Sequence, residues 1–159
     1  MRIEQRTIYT FSELPTERAK ERARDWWRDG MEFSWADESL DSIKTFCARF
    51  GVTLKEWVVG PYSPIDFSTD AENKHFRGLR LKDFQRDAMP TGYCLDCDLW
   101  MTFYDRFKAT GDAKEAFFDA LYEAFKSWRA DCEHQMSDEH VDEMLEINEY
   151  EFDENGAPA

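Results

Sequence analysis

Cys94-Leu-Asp-Cys97 and Cys132-Glu-His134 are the residues of this chain whose types and spacing could do chemistry. A C-x-x-C pair joined by a further Cys and a His supplies the four ligands of a structural zinc site. Against that stands the register of Cys132. It follows Phe117, Leu121, Phe125 and Trp128 on one helical face, where a buried thiol needs no metal. One C-x-x-C with a lone C-x-H is a weaker signature than two C-x-x-C pairs, so no metal and no cofactor is the expectation. A redox role for Cys94 and Cys97 lacks the preceding βαβ pattern. His75, His134 and His140 are scattered, and no nucleophile elbow, phosphate loop or H-E-x-x-H is present. Asp96, Asp98 and Asp105 are spread along a helix, where acids usually face solvent. The sequence points to a binding protein rather than an enzyme.

Charge is the stronger signal. From Ala130 to the end there are eleven acids and no lysine or arginine, while residues 1–129 hold twenty bases against twenty-three acids. The net charge of −14 is therefore concentrated at one end. Such a field repels nucleic acid and membranes and steers toward basic protein surfaces. The plain reading is a solvated helix face followed by an edge strand guarded by charge. The functional reading is that Asp138, Glu139, Asp142, Glu143, Glu146 and Glu149 present carboxylates as a nucleic acid presents phosphates, and occupy a basic channel. A surface that is merely soluble mixes signs. The aromatic content of 16% adds candidates for a partner surface. Trp26 and Trp27 are adjacent and cannot share one narrow helical stripe. Tyr62 sits in a Gly-Pro-Tyr-Ser-Pro loop.

The elements that must position these groups follow from periodicity and breakers. Residues 3–11 (IEQRTIYTF) read as a strand. Thr16 is an N-cap, Gly30 a stop, and Ala19, Ala23, Trp26 and Trp27 share a helical face between them. Ala36, Leu40, Ile43, Cys47 and Phe50 predict a second helix. Residues 52–59 read as a strand, 65–69 and 77–81 as short strands, and the Pro61–Pro64 stretch as a loop. Leu95, Leu99, Phe103 and Phe107 predict a helix ending near Gly111. Asp112 opens the longest helix, Ser137 caps a short one, and residues 147–152 read as a terminal strand. The expected fold is α+β: several amphipathic helices on one face of a small, largely antiparallel sheet. A single domain is expected over 1–156, with an acidic region at 130–156 and a frayed tail at 157–159. With no apolar leader after Met1-Arg-Ile-Glu and no long apolar run, the expected location is the cytoplasm.

Two stretches carry a resemblance. Tyr9-Thr-Phe-Ser-Glu-Leu14 with Ala19-Lys-Glu-Arg-Ala23 and Trp26-Trp27, and the ending Ile147-Asn-Glu-Tyr-Glu-Phe-Asp-Glu-Asn-Gly156, resemble a group of small acidic proteins encoded by phages and prophages. Some of these carry the label antitoxin of a toxin–antitoxin stability system. Many have a Gly-rich stretch after the middle strand; here that region is Pro61-Tyr-Ser-Pro-Ile-Asp-Phe-Ser-Thr69, without the glycines. The resemblance implies a phage protein in a bacterial host cell that inhibits a host defence or nucleic-acid-handling protein, in the anti-CRISPR manner. Its partner would be a basic host protein or protein–nucleic-acid complex, with no direct nucleic-acid or membrane binding. The alternatives are an antitoxin for a basic toxin, and a module stabilised by zinc on Cys94, Cys97, Cys132 and His134.

Overall fold

The computed structural model describes residues 1–159. Five helices dominate: α1 (Glu17–Gly30), α2 (Ala36–Arg49), α3 (Leu95–Thr110), α4 (Ala113–Met136) and α5 (Asp138–Ile147). Two strands, β1 (Leu54–Val58) and β2 (Asp66–Thr69), pair antiparallel. The fold is α+β, and the chain gathers into two compact units, Met1–Phe33 with His134–Ala159, and Ser34–Glu133.

The helix boundaries follow the local chemistry. The Thr16 hydroxyl accepts from the Ala19 N–H at 3.1 Å and caps α1. The Ser137 hydroxyl accepts from the His140 N–H at 3.3 Å and caps α5. Asp112 accepts from the Glu115 N–H at 3.1 Å at the start of α4. Gly111 ends α3 at φ 69°, where its N–H reaches the Phe107 carbonyl at 2.8 Å.

In the Ser34–Glu133 unit the core is aromatic. Phe46 of α2 stacks on Phe117 of α4 at 5.3 Å, and Phe50 meets Phe103 of α3 edge-on at 4.9 Å. The α3 row of Leu95, Leu99, Phe103 and Phe107 is buried throughout. The buried stripe of α2 is rotated from the expected one: Ser39, Ser42 and Phe46 join Ile43 and Cys47, and Leu40 is only half-buried. The cause is polar. The Ser42 hydroxyl lies 2.9 Å from that of Thr91, so a small residue lets the segment before α3 close on the helix. The sheet joins this core through Phe67 of β2, whose ring stacks on Phe125 of α4 at 4.8 Å.

In the other unit, α1 and α5 enclose Phe11, Leu14, Ala19, Ala23, Val141, Leu145 and Phe152. The strands expected over 3–11 and 147–152 do not form. Only Tyr9 and Phe152 pair, through reciprocal N–H to carbonyl bonds of 2.8 Å. Residues 11–13 turn into a 3₁₀ helix, with Thr10 and Glu13 forming a capping box. Ile147 still belongs to α5, and Glu149 takes φ 54°, so the Glu/aromatic alternation after it is not an extended ladder. The 77–81 strand is also absent; Gly78 takes φ 72° there. Alternation marks a strand only where a neighbouring strand exists to complete it. The 157–159 tail does not fray. Asp153 N–H donates to the Ala157 carbonyl at 2.8 Å and Ala159 N–H to Glu151 at 3.0 Å. Gly156, at φ 82°, lies so close to α1 that a Cβ there would sit 1.9 Å from the Ala19 carbonyl oxygen.

Phe125 is 1% exposed, between Phe67 and Trp128. Phe125→Ala is expected to destabilise the protein by about 3–5 kcal/mol in chemical denaturation. A loss below about 1 kcal/mol would mean that the α4 face and sheet do not pack as described.

Candidate functional site

The α5 segment and the residues after it hold most of the candidate carboxylates, and α1 decides which of them remain available. Arg24 of α1 is only 9% exposed. Its Nε donates to Asp142 Oδ1 at 2.6 Å and its Nη2 to Oδ2 at 2.9 Å, a two-pronged fork. Its Nη1 reaches Glu21 one turn away, and its guanidinium lies 5.5 Å from the Phe11 ring centroid. The Asp142 hydrogen bond pushes the Arg24 pKa further up, so it stays charged at any accessible pH.

Arg28, one turn further along α1, serves the corner between α4 and α5. Its Nε donates to the Met136 carbonyl at 3.1 Å, at the last residue of α4, and its Nη2 to Asp138 in the first turn of α5. The guanidinium thus meets the negative end of one helix and the acid that begins the next. Its hydrogen bond holds the Asp138 carboxyl below the ordinary carboxylate range. Glu146 accepts from the Ser12 N–H.

The six acids therefore divide. Asp138, Asp142 and Glu146 are engaged with the N-terminal segment, which corrects the expectation of a fully unpaired acidic run. Glu139, Glu143 and Glu149 are exposed and make no ion pair. Spacing offers Arg24 and Arg28 nearer partners in Glu21 and Asp25, three residues before each on the same helix, and these contacts also form. A contact between positions 118 residues apart leaves no local pattern.

The aromatic candidates separate as well. Trp27 is half-buried against the core of its unit, 5.7 Å from Tyr150. Trp26 is 38% exposed and lies edge-on to Tyr150 at 5.2 Å and to Phe152 at 5.8 Å. Tyr62 belongs to the Ser34–Glu133 unit and is 80% exposed at φ 60°. Its loop is pinned to α4: the Tyr62 N–H donates to Glu133 at 3.0 Å, and Arg129 donates to the Ser63 carbonyl at 3.0 Å. The positive φ is thus held by two fixed contacts.

The zinc candidates do not assemble. No three of the His, Cys, Asp and Glu side chains gather into a metal-holding set. Cys132 is buried in α4, as its register predicts, and burial raises its thiol pKa. The acids of α3 are used singly: Asp96 is fully buried on the Thr91–Gly92 turn, burial raises the pKa of Asp98, and Asp105 forks with Arg86 at 2.9 and 3.1 Å. His75 accepts the Glu72 N–H at 2.9 Å, a turn contact. His134 and His140 do meet, with ring centroids 5.0 Å apart. No helix is long and apolar enough to cross a membrane. Compared with protein-family models, with curated proteins and with solved structures, the chain matches none.

Arg24→Ala leaves the Asp142 carboxylate without its guanidinium partner. A fully buried pair would cost about 3–5 kcal/mol; Asp142 keeps a third of its side chain exposed, so about 2–3 kcal/mol is expected in urea unfolding. A loss under about 0.5 kcal/mol would mark the fork as an ordinary surface pair.

The Asp138 shift sets a pH window. Its folded pKa lies below the unfolded value, so the stabilisation is complete above about pH 4 and is lost as pH falls through the folded value. The melting temperatures of the protein and of Arg28→Ala should differ by a constant amount above about pH 4 and converge below it. A gap that persists undiminished to about pH 2 would show that Asp138 is not the partner.

Proposed function

We propose that this is a phage-encoded inhibitory binding protein, acting in the bacterial cytoplasm on a host defence or nucleic-acid-handling protein of the CRISPR kind. It works by occupation rather than catalysis. Its acidic surface takes the place that nucleic acid would take on a basic partner.

The observation that carries this reading is the sign of one compact unit. Met1–Phe33 with His134–Ala159 holds seven bases and sixteen acids, a net charge of −9, against −5 for the larger Ser34–Glu133 unit. Two arginines of α1, Arg24 and Arg28, pair with Asp142 and Asp138. What α5 and the turn after it offer to solvent is Glu139, Glu143 and Glu149. Carboxylates on successive helical turns of a rigid element meet a basic channel without an ordering cost. Trp26, partly exposed on α1, supplies an aromatic contact for the same partner.

The test begins with capture of the partner from host lysate, followed by association kinetics and displacement of the partner's own nucleic acid. Reversing Glu139, Glu143 and Glu149 together to lysine leaves both arginine clamps intact. The on-rate should fall by about tenfold or more at low salt, and the wild-type rate should drop toward that of the variant as salt rises. Equal on-rates for the two proteins at low and physiological salt would end the mimicry reading. The interface would then be sought at Trp26 and Tyr62.

A further inference from the structure

We propose that Cys94, Cys97 and Met89 form a binding site for a soft monovalent d¹⁰ cation such as Cu(I). The site lies in the Ser34–Glu133 unit and is independent of the acidic-surface reading.

Three observations build it. The Met89 thioether lies 3.5 Å from the Cys97 thiol, so two sulfurs are already together at the head of α3. Metal–sulfur bonds of about 2.3 Å place two ligand sulfurs about 3.8–4.0 Å apart, so this pair opens by only a few tenths of an ångström on binding. Cys94 is the residue before α3 and Cys97 lies in its first turn, with the Cys97 N–H donating to the Cys94 carbonyl at 3.1 Å. Residues three apart on a helical turn present their side chains on one side.

The third observation is what holds Met89 there. Asp96 is 0% exposed, and its Oδ2 accepts from the Thr91 N–H at 3.0 Å, the Thr91 hydroxyl at 2.8 Å and the Gly92 N–H at 3.0 Å. The Gly92 N–H also reaches the Met89 carbonyl at 3.2 Å, closing the turn, and Gly92 takes φ 76°. A carboxylate buried between the two cysteines in sequence therefore fixes the turn that carries the thioether. Burying such a group is costly, and this one is spent on a loop rather than on the core.

The donor set selects the ion. Two thiolates and a thioether suit Cu(I) or Ag(I), and a thioether is a poor ligand for zinc. A tetrahedral zinc site needs a fourth donor, and no third His, Cys, Asp or Glu joins the pair. Access is open: Cys94 and Met89 are exposed and Cys97 is half-exposed. The other two cysteines are buried, with burial pushing the Cys47 thiol up to about 12. Binding displaces two protons, one from each thiol, and changes no oxidation state.

The test uses the reduced full-length protein under anaerobic conditions, titrated with Cu(I) against a chromophoric Cu(I) chelator, and in parallel with Ag(I) and Zn(II). One Cu(I) per chain is expected, with protons released. Met89→Leu should weaken binding by about tenfold or more, and Cys94→Ser should abolish the site while the circular dichroism spectrum is unchanged. Three results would overturn the proposal: no competition with the chelator, undiminished affinity in Met89→Leu, or equal stoichiometry in Cys94→Ser. The last would show that Cys94 is not a ligand. Tighter binding of Zn(II) than of Cu(I) would also overturn the assignment of the ion.

Discussion

The Arg24 guanidinium is the constraint on which the Met1–Phe33/His134–Ala159 unit depends. It is nearly buried, permanently charged, and must find its counter-charge in the acidic C-terminal segment. The fork to Asp142 fixes the rotation of α5 about its axis and its register along α1. With that rotation set, Val141 and Leu145 turn into the apolar cluster and Glu139 and Glu143 turn to solvent. Phe152 and Gly156 then close the unit, the first by bridging Tyr9, the second by meeting Ala19 backbone to backbone. A buried charge pair contributes less net stability than an apolar pair of the same shape, but it is intolerant of misregister. Here the register decides which carboxylates face solvent.

The helices were legible in the sequence because their signals are local. Thr16, Ser137 and Gly111 mark ends by their own side chains or their own φ, and the rows through α3 and α4 need no knowledge of the rest of the chain. The two strands were legible as short runs on either side of the Pro61–Pro64 loop, and in the structure Trp57 pairs with Phe67 across it. The terminal strands were not. Tyr9 and Phe152 alternate with polar neighbours as strand residues do, and they do pair, but Tyr9 bridges only Phe152 and Phe152 bridges Tyr9 and Pro158, isolated pairs rather than a ladder.

For the candidate carboxylates, position was legible and pairing was not. Composition placed the negative field at the C-terminal end, and neighbour spacing picked out Asp138 and Asp142 together with Glu139 and Glu143. Spacing cannot separate them, because the arginines that claim the first two lie more than a hundred residues earlier. The thioether of Met89 was invisible for a similar reason: it reaches Cys97 through a turn whose geometry depends on Asp96, a residue that reads from sequence as a solvent-facing acid.

Stability accounts for only part of the acids that remain: Glu139 stands in the first turn of α5, where the helix dipole favours a carboxylate, and Glu143 stands beyond it. Like charges one turn apart on a helix destabilise it by about 0.2–0.5 kcal/mol per pair, and Glu139 and Glu143 stand at that spacing. Glu146 lies in the last turn of α5, where the helix dipole disfavours a carboxylate and no basic residue is present to offset it. Its bond from the Ser12 N–H compensates there; Glu143 has no comparable partner. A lysine at position 143 would relieve the repulsion and leave Arg24, Arg28 and the apolar face untouched. Packing does not require Glu143, and nothing on α5 offsets its repulsion with Glu139. Both acids add net charge, and on the proposed reading they are the carboxylates offered to a basic partner.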